Sequence, residues 1–196
     1  MLKIVQSQVK DIMQSLIHLF NEVGMLAHIQ RSGYAFLGAG KQSIAEHSHR
    51  MTFVAYALAK ESKEPVDLAK LLLMCLLHDL PEARTGDLNY VNKKYVEANE
   101  DLVIAELKEM NSLGNEIASY LQEYNDKISV ESKIAHEADQ LEMLLKLKEL
   151  HDLGSPQAMK WYAVVSERLQ SPLAQKFAQK ILETPTDDWW ISHAVK

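Results

Sequence analysis

Seven consecutive apolar residues, Leu71-Leu72-Leu73-Met74-Cys75-Leu76-Leu77, run straight into His78-Asp79. A stretch with no polar side has to be enclosed by other elements. The spacing predicts a helix that starts near Pro65, where proline fits a first turn, and stays buried on nearly all sides to Leu77. The partners that enclose it should also be helices. Leu, Ala, Glu, Lys, Met and Gln dominate the chain, runs rich in Val, Ile or Thr are few, and only seven glycines and five prolines interrupt it. Apolar residues make up 47% of the 196 positions, enough for one sizeable core, so the expected architecture is a single all-α domain over residues 1–196.

The first helix is expected from about Ser7 into the high twenties, on the spacing of Val9, Ile12, Met13, Leu16, Ile17, Leu19 and Phe20. Arg31 to Gly40 reads as glycine-punctuated loop. Ser43 with Glu46 three residues on is a capping box, opening a second helix that runs to about Ser62. Pro81 and Gly86 mark an irregular segment from His78 to Leu88. A helix follows over roughly Lys94 to Met110, then a short one after Gly114 to about Tyr124, then a long one from about Val130 to His151. Two more, split by Ser171-Pro172, end near Glu183. The polar tail carries Trp189-Trp190-Ile191, whose aromatics should pack on the chain's own core or on a partner.

Lys and Arg number 21 against 27 Asp and Glu, a net charge of −6, which argues against a surface for nucleic acid polymers. No apolar stretch reaches the length of a membrane span, and Met1 to Gln6 lacks the apolar centre of a signal peptide. The lone Cys75 excludes an intrachain disulfide and is expected to be a buried thiol. The expectation is a soluble cytoplasmic protein without a membrane partner.

Three features carry potential chemistry. His78-Asp79 closes the apolar run, which places an imidazole and a carboxylate at the mouth of a core. Taken alone, the pair also fits a helix C-terminus, where histidine is favoured by the dipole. Asp139 flanks the apolar stripe Ile134, Ala138, Leu141, Leu144, Leu145, and reads equally as a ligand or as a solvent-facing carboxylate like its neighbours Glu137 and Glu142. In Glu46-His47-Ser48-His49-Arg50 the two histidines, two residues apart, point to nearly opposite sides of a helix, so at most one joins a common site. Glu46 and Arg50, four apart, read as a surface pair.

The order His, His-Asp, Asp resembles the HD-domain phosphohydrolases, and most closely their small 5′-deoxynucleotidase branch. The similarity lies in Ser43-Ile44-Ala45-Glu46-His47-Ser48, in His78-Asp79-Leu80-Pro81-Glu82-Ala83-Arg84-Thr85-Gly86-Asp87-Leu88, and in Ala138-Asp139-Gln140-Leu141. It spans roughly Arg31 to Leu150. Tyr34 stands where the branch usually has tryptophan, and Pro81 and Arg84 are further departures. The resemblance implies one metal ion held by His47, His78, Asp79 and Asp139, with His49 and His136 outside the ligand set. It implies Glu82 as general acid/base. It implies Arg31 as the cation for a phosphate, Tyr34 beside it, and Asp87 at the sugar. Arg84 reads as a solvated loop residue. Two imidazoles with two carboxylates suit Mn, Co, Fe, Ni or Zn better than Mg or Ca. The implied substrate is a small-molecule nucleotide, a deoxynucleoside 5′-monophosphate, and the implied assembly a homodimer. A triphosphate or alarmone hydrolase would bring extra basic motifs that are absent here. A dinuclear phosphodiesterase would bring more histidines between Asp79 and Asp139. A non-catalytic helical module would be expected to have lost a ligand or Glu82.

Overall fold

The computed structural model describes residues 2–194, with side chains from Ile12 onward except Ser192, so the side chain of Val9 lies outside the described residues. It is built from α1 (Leu2–Met25), α2 (Ile44–Glu61), α3 (Leu68–Leu77), α4 (Glu82–Thr85), α5 (Glu100–Met110), α6 (Gly114–Asp126), α7 (Val130–Asp152), α8 (Gln157–Ser166), α9 (Pro172–Glu183) and α10 (Asp188–Ala194). Two 3-10 turns, Ser32–Leu37 and Asn92–Lys94, complete it, and the described residues contain no strand beyond one isolated bridge between Gln30 and Ser43.

Most boundaries follow capping chemistry. Ser43 and Glu46 form the expected capping box of α2. Asp67 accepts from the Lys70 amide and starts α3, so Pro65 lies outside the helix rather than near its first turn. Asn99 accepts from the Leu102 amide and starts α5 at Glu100, beyond the expected Lys94. Gly114 opens α6 instead of merely separating two helices. The segment after His78 contains the single turn α4, and the tail folds as α10. Trp189 and Trp190 stay 76% and 47% exposed, so they do not pack on this chain's core.

The enclosed helix is α7, not α3. Leu73 and Leu76 of α3 face outward, because α3 packs on α2, α6 and α7 along one side only. α7 touches α2, α3, α6, α8 and α9, and its polar residues bind what surrounds them. Glu131 accepts from the Asp67 amide and pairs with Lys70 at 2.9 Å. Glu137 accepts from the Ser171 amide and hydroxyl at the start of α9. Glu142, expected to face solvent, is fully buried. Charge pattern alone makes α7 look like a surface helix; satisfied buried polar groups make it the pillar.

Two buried apolar clusters divide the core. One joins α2, α3, α7, α8 and α9 through residues such as Met51, Cys75, Ala138, Leu144 and Val165. The other joins Leu19, Leu26, Ile44, Leu80, Val103, Leu107 and Leu121. Ile44 and Met51 of α2 belong to different clusters, as do Cys75 and Leu80 around the end of α3. His47 and His78 lie between those pairs.

Candidate metal centre

His47 has no solvent exposure, and the His78 side chain is 2% exposed. Each ring is held through Nδ1. The His78 Nδ1–H donates to the Cys75 carbonyl at 2.9 Å, and since a carbonyl only accepts, the proton sits on Nδ1. His47 Nδ1–H donates to the Glu142 carboxylate. In the neutral rings both Nε2 atoms therefore carry the lone pair, and both are buried without a hydrogen-bond partner. They lie close to carboxylates without hydrogen-bond alignment. His47 Nε2 is 3.2 Å from Asp139 Oδ1 and 3.8 Å from Asp79 Oδ2, and His78 Nε2 is 3.1 Å from Asp79 Oδ2. One ligand atom each from His47, His78 and Asp139 falls within 4.8 Å of the others. Two buried, unsatisfied imidazole nitrogens facing two carboxylates are a donor set that fits a divalent transition ion.

Electrostatics point the same way. Burial opposes ionisation of Asp79 and Asp139, yet His78, His47 and Arg31 overcome it and hold Asp79 down at about 2 and Asp139 lower still. Burial and, for His47, Arg31 oppose the charged imidazoles, but the carboxylates around them win and raise both histidines. The carboxylates thus favour positive charge beside them, from imidazolium protons in the metal-free protein or from a metal ion that displaces those protons.

The other histidines are elsewhere. His49 packs edge-on against Phe53. His136 stacks on the Tyr124 ring at 3.9 Å and bonds the Tyr124 carbonyl through Nε2. Glu46 is absorbed by the capping box and does not pair with Arg50. Arg50 instead reaches Glu142 at 2.8 Å and also pairs with Glu149.

Arg31 caps the turn Ser32–Leu37 and brings its guanidinium to 3.6 Å from Asp79 and 3.8 Å from Asp139, with 13% exposure. Asp87 accepts from both the amide and the hydroxyl of Ser32, tying its own loop to the turn that carries Arg31. Gly86, at φ +72, allows the chain to swing from α4 into that position. Glu82 has one carboxyl oxygen buried and without a hydrogen-bond partner. Burial, then the negative charges of Asp79 and Asp87, push its pKa up to about 9. Arg84 is exposed, as expected, and also forms ion pairs with Glu22 of α1 at 2.5 Å and Glu106 of α5 at 2.6 Å. Tyr34 is 2% exposed and lies under Trp161, their ring centres 5.6 Å apart.

Arg31, Tyr34, Asp79, Glu82, Asp87 and Asp139 all line one cavity of about 210 Å³. A larger open groove of about 1060 Å³ lies along residues 93–101 and shares Glu82, but none of the four candidate ligands lines it. Sequence reasoning missed Glu142, Gln42 and Arg50 behind His47, and Tyr90, Trp161 and Arg168 in the cavity wall. For Glu142 a signal existed: three residues past Asp139, it shares that helix face.

A sequence model described as HD domain matches residues 23–181. The chain is similar to the 5′-deoxynucleotidase HDDC2 of Danio rerio, with 26% identity over 162 residues that cover 79% of this chain and 80% of the relative. It is similar to the 5′-deoxynucleotidase HDDC2 of Dictyostelium discoideum, with 29% identity over 148 residues, covering 70% and 78%. A solved structure of a conserved hypothetical protein from Pyrococcus furiosus superposes with a TM-score of 0.71 at 27% identity, covering 85% of this chain and 96% of that one.

Proposed function

Because the chain belongs to the HD domain family, we propose that it is a metal-dependent phosphohydrolase that converts deoxynucleoside 5′-monophosphates into deoxynucleoside and phosphate. The observation that carries this reading is the pair of buried imidazole Nε2 atoms, unsatisfied and facing Asp79 and Asp139, with the Arg31 guanidinium beside them. The names of the two curated relatives support the substrate class.

In this reading His47, His78, Asp79 and Asp139 hold one divalent ion, with Mn, Co, Fe, Ni and Zn all compatible with the donor set. Such an ion, when bound, supplies Lewis-acid polarisation of a phosphoryl oxygen and lowers the pKa of a water. The protein supplies the rest. Arg31 offers a permanent positive fork to the phosphate oxygens. Glu82, with a pKa near 9, is protonated at neutral pH. As water adds to phosphorus and the P–O5′ bond breaks, the Glu82 carboxyl hands its proton to the departing O5′ and later regains one from solvent. Asp87, fixed by Ser32, accepts a hydrogen bond from a sugar hydroxyl. Tyr34 forms the cavity floor beside Arg31.

Among the described residues no helix is long and apolar enough to cross a membrane. A cytoplasmic homodimer is the assembly we propose. The exposed Ile12, Met13, Ile17 and Phe20 of α1 are apolar surface that a second copy would cover. Light scattering at micromolar concentration tests this, and a strict monomer would remove it. The function itself is tested by phosphate release from ribo- and deoxynucleoside mono-, di- and triphosphates with each divalent metal.

A further inference from the structure

The cavity that holds Arg31 and the candidate ligands is also walled by Tyr90, Trp161 and Arg168, and none of these has a task in the chemistry above. Their arrangement is built rather than incidental. A Cβ at Gly33 would sit 2.7 Å from the Trp161 ring, so the glycine two residues after Arg31 is what lets the indole lie against this turn. Tyr34 packs beneath the indole. Tyr90 meets it edge-on at 6.1 Å. The Arg168 guanidinium lies over the Tyr90 ring, 5.2 Å from its centre, and holds a half-exposed aromatic in place. The Trp161 indole N–H is buried and without a hydrogen-bond partner.

The wall is linked to the metal centre at a fixed separation. Asp139 accepts from the Gln140 amide at 2.7 Å, and the Gln140 oxygen accepts from Arg168 at 3.2 Å. Two hydrogen bonds and one cation–π contact thus lead from a ligand carboxylate to the Tyr90 ring. A phosphate held at Arg31 would have its sugar and base to place in the remaining cavity, and its aromatic side is Tyr90 and Trp161.

We infer that Tyr90 and Trp161 form the platform on which the nucleobase of the substrate stacks, with Arg168 bracing Tyr90; this rests on the nucleotide reading of the same cavity. Every base has a π face, so an aromatic platform binds purines and pyrimidines alike and gives affinity without strong base preference.

The test compares a deoxynucleoside 5′-monophosphate with deoxyribose 5-phosphate, which keeps the phosphate and sugar and lacks the base. The wild-type protein should prefer the nucleotide in kcat/KM by roughly 5- to 150-fold, the range that stacking on an aromatic side chain gives. That ratio should collapse several-fold in Trp161→Leu and in Tyr90→Ala. The second variant guards against misfolding, because Tyr90 is on the surface. Equal rates on the two substrates in the wild type, or variants that lose both substrates in proportion, would overturn the platform. If no phosphate is released from either substrate, the phosphohydrolase reading fails instead. The platform is then decided by calorimetry with deoxyadenosine: binding that weakens in both variants upholds it, and no binding, or binding the variants leave unaltered, overturns it.

Discussion

Glu142 holds His47 from behind, and replacing it by glutamine should weaken metal binding without touching a ligand. One carboxylate oxygen, Oε1, accepts from Gln42 at 2.5 Å and from Arg50 at 2.8 Å, while the other, Oε2, faces only the His47 Nδ1–H. In Glu142→Gln the amide oxygen must stay with the two donors, because turning its NH₂ toward them would bury an unsatisfied donor pair at about 1–3 kcal/mol each. The amide NH₂ then faces His47 Nδ1. The imidazole has to accept there, which leaves its remaining proton on Nε2, the atom that faces Asp139. Metal binding must reverse that tautomer. Loss of a group that orients a metal-binding histidine typically costs about 10- to 100-fold in metal affinity, or about 1.4–2.8 kcal/mol. Calorimetric titration of the metal-free variant with Mn²⁺ or Zn²⁺ measures it. The fold should survive, since volume and two of the three hydrogen bonds are kept, and thermal unfolding of the metal-free protein checks that. Wild-type metal affinity in a folded Glu142→Gln protein would refute the reasoning.

Glu82→Gln should keep its metal and lose about 10²–10⁴-fold in rate, read by phosphate release alongside metal content. In the wild type, activity should fall as pH rises through the region near 9, where Glu82 gives up its proton. That limb should vanish from the residual activity of Glu82→Gln, and its persistence there would assign the proton to another group. Metal affinity should tighten as pH rises, because His47 and His78, both raised in the metal-free protein, must shed protons before they bind a cation; titrations at about pH 6 and about pH 8 would show it. Asp87→Asn should erode the preference for deoxyribose over ribose more than it slows the favoured substrate, measured as the ratio of kcat/KM on paired ribo and deoxy monophosphates.

The parts of this protein legible in its sequence are those specified locally. Ser43 and Glu46 cap α2 through neighbours three residues apart, and Ser171-Pro172 starts α9. Helical geometry allowed at most one of His47 and His49 into a common site, the resemblance picked His47, and the structure puts His47 beside Asp139 and His49 against Phe53. What was hidden depends on distant partners. Glu142 reads as a surface residue until Gln42, His47 and Arg50, some hundred positions upstream, are brought onto it. Arg84 reads as a loop cation until α1 and α5 present Glu22 and Glu106. Leu73 and Leu76 reverse the same lesson: an all-apolar run implies enclosure, yet two of its members remain exposed on this chain. Trp161 entered the cavity only through α8 folding back over Gly33, a contact with no trace in local pattern.

The most direct test of the central claim is phosphate release by the metal-stripped protein, reconstituted in turn with Mn²⁺, Co²⁺, Fe²⁺, Ni²⁺ and Zn²⁺, on paired ribo- and deoxynucleoside 5′-monophosphates. The account predicts no release without metal, release with at least one of these ions, a preference for the deoxy substrate, and loss of activity in His47→Ala, His78→Ala, Asp79→Ala and Asp139→Ala. Release that survives chelation, or no release from any monophosphate with any of the five ions, would contradict it.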